Sequence, residues 1–155
     1  MRRYLVVANQ TLGGDELVQA IREVAAAGPS EFRLVVPATP AHHLVQGFIP
    51  PMPVMGGPIT LPAPPEEGHA LAEARLQASL SRMAAAGVPA GGEVGDPDPM
   101  RAVADVLAHR TFDEIIVSTL PDRLSRWMHQ DLPRRLEHRF GLPVTRITVT
   151  KVSRR

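Results

Sequence analysis

The feature that most constrains this chain is an alternation. Short apolar runs closed by turn residues are separated by stretches whose apolar residues recur at helical spacing. Runs of this kind lie inside a sheet covered on both faces, because a half-exposed strand would alternate apolar with polar. Residues 3–9, Arg-Tyr-Leu-Val-Val-Ala-Asn, read as the first strand. Phe32 to Val36 reads as the second, stopped by Pro37, and Gly92 to Gly95 as a short third. Glu114 to Thr119, centred on Ile115-Ile116-Val117, is the clearest. The last spans 144–149, with Thr145 and Thr148 turned outward beside inward apolar residues.

The intervening segments read as helices. Leu17, Val18, Ile21, Val24 and Ala25 form one apolar stripe, ended by Gly28-Pro29 in the usual glycine-then-proline order. A second helix is expected from Ala70 to Ala86, with Leu76, Leu80 and Met83 on one face and Gly87-Val88-Pro89 closing it. A third follows Asp96-Pro97-Asp98-Pro99, a capping acid and a helix-starting proline, with Met100, Val103, Ala104 and Leu107 inward. Pro133 cannot sit inside a continuous helix over 124–140. A short turn around 124–129 and a new helix capped near Asp131, with Pro133 in its first turn, resolve the conflict; Gly141 and Pro143 end that helix.

Strands alternating with helices imply an α/β protein: a doubly wound, five-stranded parallel sheet with helices on both faces. One interruption stands out. Residues 37–67 hold nine prolines and the pair Gly56-Gly57, so a long loop, 38–67, is expected after strand two. Loops of that length are commonly lids or mobile segments. With 155 residues, one domain over 1–150 and a basic tail at 151–155 account for the chain.

Cysteine is absent, which excludes disulfides, thiolate metal sites and cysteine nucleophiles. No apolar stretch reaches the roughly 20 residues of a membrane span, and the chain enters its first strand without a signal-peptide pattern. A cytoplasmic protein with no membrane partner is expected. The net charge is +1, but residues 120–155 hold nine Arg and Lys against Asp122, Asp131 and Glu137. Two readings of this basic quarter stand side by side. It is a solvated face with a frayed Arg154-Arg155 tail, or it attracts an acidic protein or a phosphate-containing ligand.

Four local motifs, in order, carry a resemblance. Asn9-Gln10-Thr11 follows strand one; Gly95-Asp96-Pro97 precedes the third helix; Phe112-Asp113-Glu114-Ile115-Ile116-Val117-Ser118 forms the fourth strand; and Phe140-Gly141-Leu142-Pro143-Val144 joins the last helix to the last strand. Together they resemble the universal stress protein family over nearly the whole chain. The resemblance implies strand order 3-2-1-4-5, with a ligand crevice at the switch point between strands one and four. It also implies a homodimer through edge strand 144–149 and a stress-associated binding or regulatory role without a catalytic residue. ATP-binding members carry a glycine-rich motif after the fourth strand, because glycine lets backbone amides approach phosphate. This sequence has no glycine between Gly95 and Gly141: Ser118 and Pro121 stand where the first two glycines belong, and Gln130-Asp131 near the last.

Those replacements leave two readings of the site. In the first, Pro121 removes an amide, Trp127 fills the space and the Asp131 carboxylate occupies a helix N-terminus that would otherwise hold phosphate, so no cofactor binds. In the second, ATP or another adenine nucleotide binds through arginines and Asn9 in place of the glycine loop. The candidate ligand-binding residues are Asn9, Gln10, Thr11, Val36, Ser118, Thr119, Arg123, Arg126, Gln130 and Asp131, with Arg134 and Arg135 close to the last.

Other chemistry finds little support. His42-His43 are adjacent, a spacing from which two side chains seldom reach one metal ion, and no acid lies beside them. His129 and His138 lack a neighbouring nucleophile or paired carboxylate. Gly13-Gly14 lacks the third glycine of a dinucleotide fingerprint. Nucleic-acid binding would call for a denser basic surface and more aromatics than 4%.

Overall fold

The computed structural model describes residues 1–8, 15–38, 65–119 and 131–148. Five parallel strands, β1 (Arg2–Val7), β2 (Ser30–Pro37), β3 (Gly91–Gly95), β4 (Glu114–Thr119) and β5 (Val144–Thr148), stand in the order β3-β2-β1-β4-β5. Among the described residues four helices connect them: α1 (Asp15–Ala26), α2 (Pro65–Ala85), α3 (Pro99–Leu107) and α4 (Leu132–Phe140). The expected class, strand order and helix count all hold.

Each central strand sends alternate side chains into two separate cores. Tyr4, Val6 and Ala8 of the first strand segment pack with Phe32, Leu34, Val36 and Ile116 beneath Leu17 and Ile21 of α1 and Leu76 and Met83 of α2. Leu5 and Val7 pack with Val35, Ile115 and Val117 beneath Ala102, Val103 and Val106 of α3 and Leu132 and Leu136 of α4. This explains why β1 and β4 read as unbroken apolar runs: neither face meets water. Fully burying one such side chain contributes about 1.5–3 kcal/mol. Tyr4 and Phe32, partners in the β1–β2 register, also stack at 5.2 Å between ring centroids.

The helices sort by face because right-handed crossovers leave no alternative. Passing from β1 to β2 to β3 puts α1 and α2 on one side, and reversing direction toward β4 and β5 puts α3 and α4 on the other. The reversal falls between β1 and β4.

Several boundaries differ from expectation. Helix α2 starts at Pro65, five residues before Ala70, so the expected loop 38–67 gives up its last three residues to a helix. A proline in the first helical turn forfeits no hydrogen bond, so proline density at that point is compatible with helix as well as with loop. Pro37 does not stop β2; it is the last residue of the strand, opposite Gly95, and Ala38 N–H still donates to Gly95 C=O at 2.9 Å. The rest of that loop, 39–64, and the expected turn at 124–129 lie outside the described residues.

Helix ends follow their residues. Gly87 takes φ +83°, and Val88 N–H reaches back to Met83 C=O at 2.9 Å, closing α2 in a turn that a side chain at 87 would strain. Gly141, at φ +66°, closes α4 in the same left-handed region. Asp98 caps α3, its carboxylate accepting from Met100 N–H at 3.0 Å, with Pro99 first in the helix. The buried stripe of α3 is Pro99, Ala102, Val103 and Val106, rotated from the expected one; Met100, Ala104 and Leu107 are only partly buried. The rotation has a steric cause. A β-carbon on Gly95 would lie 2.8 Å from that of Ala102, so α3 turns its smallest residue toward the closest strand. On the opposite face a β-carbon on Gly92 would meet Leu76 Cδ1 at 2.6 Å.

Candidate functional site

The helices that follow β1 and β4, α1 and α4, pack on opposite faces of the sheet, so the carboxyl ends of these two strands are the switch point at which ligands of such sheets bind. Ala8 stands at the β1 side, 1% exposed, its N–H donating to Val35 C=O at 3.3 Å. Strand β4 ends there on two small hydroxyl residues, Ser118 and Thr119, 1% and 2% exposed. A polar ending on an otherwise apolar strand needs a reason, since an unmade buried hydrogen bond costs about 1–3 kcal/mol. The Thr119 hydroxyl has no hydrogen-bond partner among the described residues. Ser118 is opposite Ile147 and Thr119 opposite Thr148 in the β4–β5 register, so the hydroxyls point to opposite faces.

Helix α4 starts after this end of β4. Asp131 is its N-cap residue, as expected, but the backbone is left-handed at φ 51°, ψ 48°, and its carboxylate accepts no hydrogen bond from the helix. Instead it lies 3.8 Å from Arg134 Nε on an exposed surface. Pro133 removes one amide from the first turn, and the Arg135 N–H is engaged by the Asp131 carbonyl at 3.1 Å. This helix start presents a negative side chain and few open donors.

Of the ten candidate residues, the structure describes four. Ser118 and Thr119 come together at the crevice, and Asp131 stands at the start of α4. Val36 is at the carboxyl end of β2, but its side chain is fully buried in the α1–α2 core. Asn9, Gln10, Thr11, Arg123, Arg126 and Gln130 lie outside the described residues, as do Pro121 and Trp127. Among the described groups, burial lowers the pKa of the Arg75 guanidinium, on α2. Among the described residues no cluster of His, Asp or Glu could hold a metal ion, and no helix is long and apolar enough to cross a membrane.

A second recess lies at the opposite, amino end of the sheet, on the α3–α4 face. It has a volume of about 390 Å³ and is lined by Arg3, Glu31 and Arg33 from the strands and by residues 107–112, the last residue of α3 and the segment after it. Sequence reasoning gave none of these residues a binding role. The available signal was Arg33, a charge inside an apolar strand.

The class defined by this architecture is the doubly wound α/β domain, with its topological switch point between β1 and β4. No family model matches the chain, and no curated protein matches it. Solved structures do. A protein of the universal stress protein family from Burkholderia pseudomallei is similar at 14% identity and TM-score 0.60, over 94% of this chain and 94% of that one. A universal stress protein in complex with cAMP is similar at 16% identity and TM-score 0.58, over 96% of this chain and 98% of that one. The fold is therefore the universal stress protein fold, as the four motifs implied.

Proposed function

We propose that this chain is a binding or regulatory module of the universal stress type, associated with stress responses, that holds no ATP and catalyses no reaction. The observation that carries this reading is the start of α4. A triphosphate there would meet the Asp131 carboxylate, the left-handed turn at that residue and the amide missing at Pro133. The lack of glycine between Gly95 and Gly141 supports the same reading, since side chains keep phosphate from backbone amides. The module acts through protein contacts. It pairs with a second copy along β5, an edge strand whose Val144 and Ile147 are only half-buried. Its cationic residues Arg134, Arg135 and Arg139, exposed on α4, suit an acidic partner.

A second reading has a specific observation behind it. The buried Thr119 hydroxyl, at the end of β4, has no hydrogen-bond partner among the described residues, and the similar universal stress protein was solved with cAMP. In this reading an adenine nucleotide sits at the switch point, held by Arg123, Arg126 and Asn9.

Calorimetric and thermal-shift titrations with ATP, ADP, AMP and cAMP, with and without magnesium, separate the two, because a ligand bound only by the folded state raises its stability. No saturable shift that depends on Arg126 is expected at millimolar nucleotide. A shift abolished by Arg126→Ala would replace the first reading by the second. Sedimentation equilibrium tests the dimer, and a monomer at all concentrations would remove it.

A further inference from the structure

The recess at the amino end of the sheet exists because α3 is short. Its nine residues, about 13.5 Å of helix, stop at Leu107 and leave the first residues of β1 and β2 uncovered on that face. The residues there are charged: Arg3, Glu31 and Arg33 lie on the same face as Leu5, Val7 and Val35, since all are odd-numbered positions of adjacent in-register strands. Arg33 is held firmly. Its side chain is only 22% exposed, its Nε lies 3.0 Å from Glu93 Oε1, and it lies over Gly91, where a β-carbon would come 3.0 Å from Nη1. Arg3 is spread between Glu31, 3.5 Å from its Nε, and Thr111, 3.5 Å from its Nη1.

On the other wall, the side chains of His109 and Arg110 are exposed and make no hydrogen bond or ion pair with described residues. The recess therefore gathers three arginines, of which Arg3 pairs with Glu31 in its lining and Arg33 with Glu93 just outside it, with Leu107 and Phe112 as its apolar part. Offsetting the negative dipole at the end of α3 would account for His109 and Arg110, but not for Arg3 and Arg33 opposite them. The same dipole means that any anion must be held by side chains and not by the backbone. Guanidinium forks suit a phosphate, whose several oxygens can engage more than one arginine. The volume of about 390 Å³ falls within the range of small-molecule sites.

We propose that this recess, formed by Arg3, Arg33 and Arg110 at the end of the sheet opposite the switch point, is a binding site for a small phosphate-bearing molecule. It is independent of the crevice, so its fate and that of the proposed function are separate.

The test titrates the full chain with pyrophosphate and, in parallel, with citrate, followed by calorimetry and amide chemical shifts. Saturable pyrophosphate binding is expected, with shifts at residues 107–112. Arg110→Glu, a change at an exposed position, should weaken it about tenfold or more. Arg22→Glu, the same change of charge at an exposed position of α1, should leave it nearly unaltered. Absence of saturation, equal weakening by both variants, or citrate bound as tightly as pyrophosphate would each overturn the proposal.

Discussion

The two ends of this sheet solve opposite problems. At the carboxyl end β4 runs into the interior and finishes on Ser118 and Thr119, small hydroxyls shut away from water. At the amino end the strands emerge into solvent and carry charges that answer one another: Arg2 with Glu114, Arg3 with Glu31, Arg33 with Glu93. Glu114 also accepts a hydrogen bond from Thr145 Oγ1, and the Arg3 and Asp113 segments join through two 2.8 Å hydrogen bonds. The contrast teaches where each end draws its energy. Apolar packing dominates one and leaves the Thr119 hydroxyl without a partner among the described residues, while the other pairs charges across its strands but gains little from each pair, because exposed ion pairs are worth about 0–1 kcal/mol.

Substitutions sharpen this contrast in a definite order. Leu132→Ala, at a fully buried position where α4 meets the sheet, should cost about 2–5 kcal/mol in chemical denaturation. A cost below about 1 kcal/mol would mean that this core is not continuous with the rest. Thr119→Val keeps the shape and removes the unpartnered hydroxyl, so stability should hold or rise by up to about 1 kcal/mol. A clear loss would show that the hydroxyl has a partner in the folded protein and would erase the asymmetry. Glu93→Gln, at the partly exposed pair with Arg33, should change stability by less than about 1 kcal/mol and grow still less important with added salt.

Much of the fold was legible because its decisive signals are local. A strand buried on both faces needs an apolar run, and a helix on a sheet needs a stripe; β1, β4 and α1 display these plainly. The start of α2 was not legible, since a proline in the first turn of a helix and a proline in a loop carry the same local signal, and only packing against the sheet distinguishes them. Position at the switch point was legible through topology, since Ser118 and Thr119 end the strand that lies beside β1. The amino-end recess was not. It depends on where α3 stops and on a register that sets Arg3 beside Glu31 and Leu5 beside Arg33, relations between residues far apart along the chain. The left-handed turn at Asp131 was equally hidden, because an aspartate before a helix usually caps it.

The glycines of β3 carry one more consequence. Elsewhere the sheet is an insulating wall, and a disturbance in the α1–α2 core must cross a full layer of side chains to reach the α3–α4 core. At β3 the wall thins to bare backbone, with Leu76 pressed on Gly92 from one side and Ala102 on Gly95 from the other. The two glycines thereby let α2 and α3 approach one strand from opposite faces, and a side chain at either position would have to push one of those helices away from the sheet.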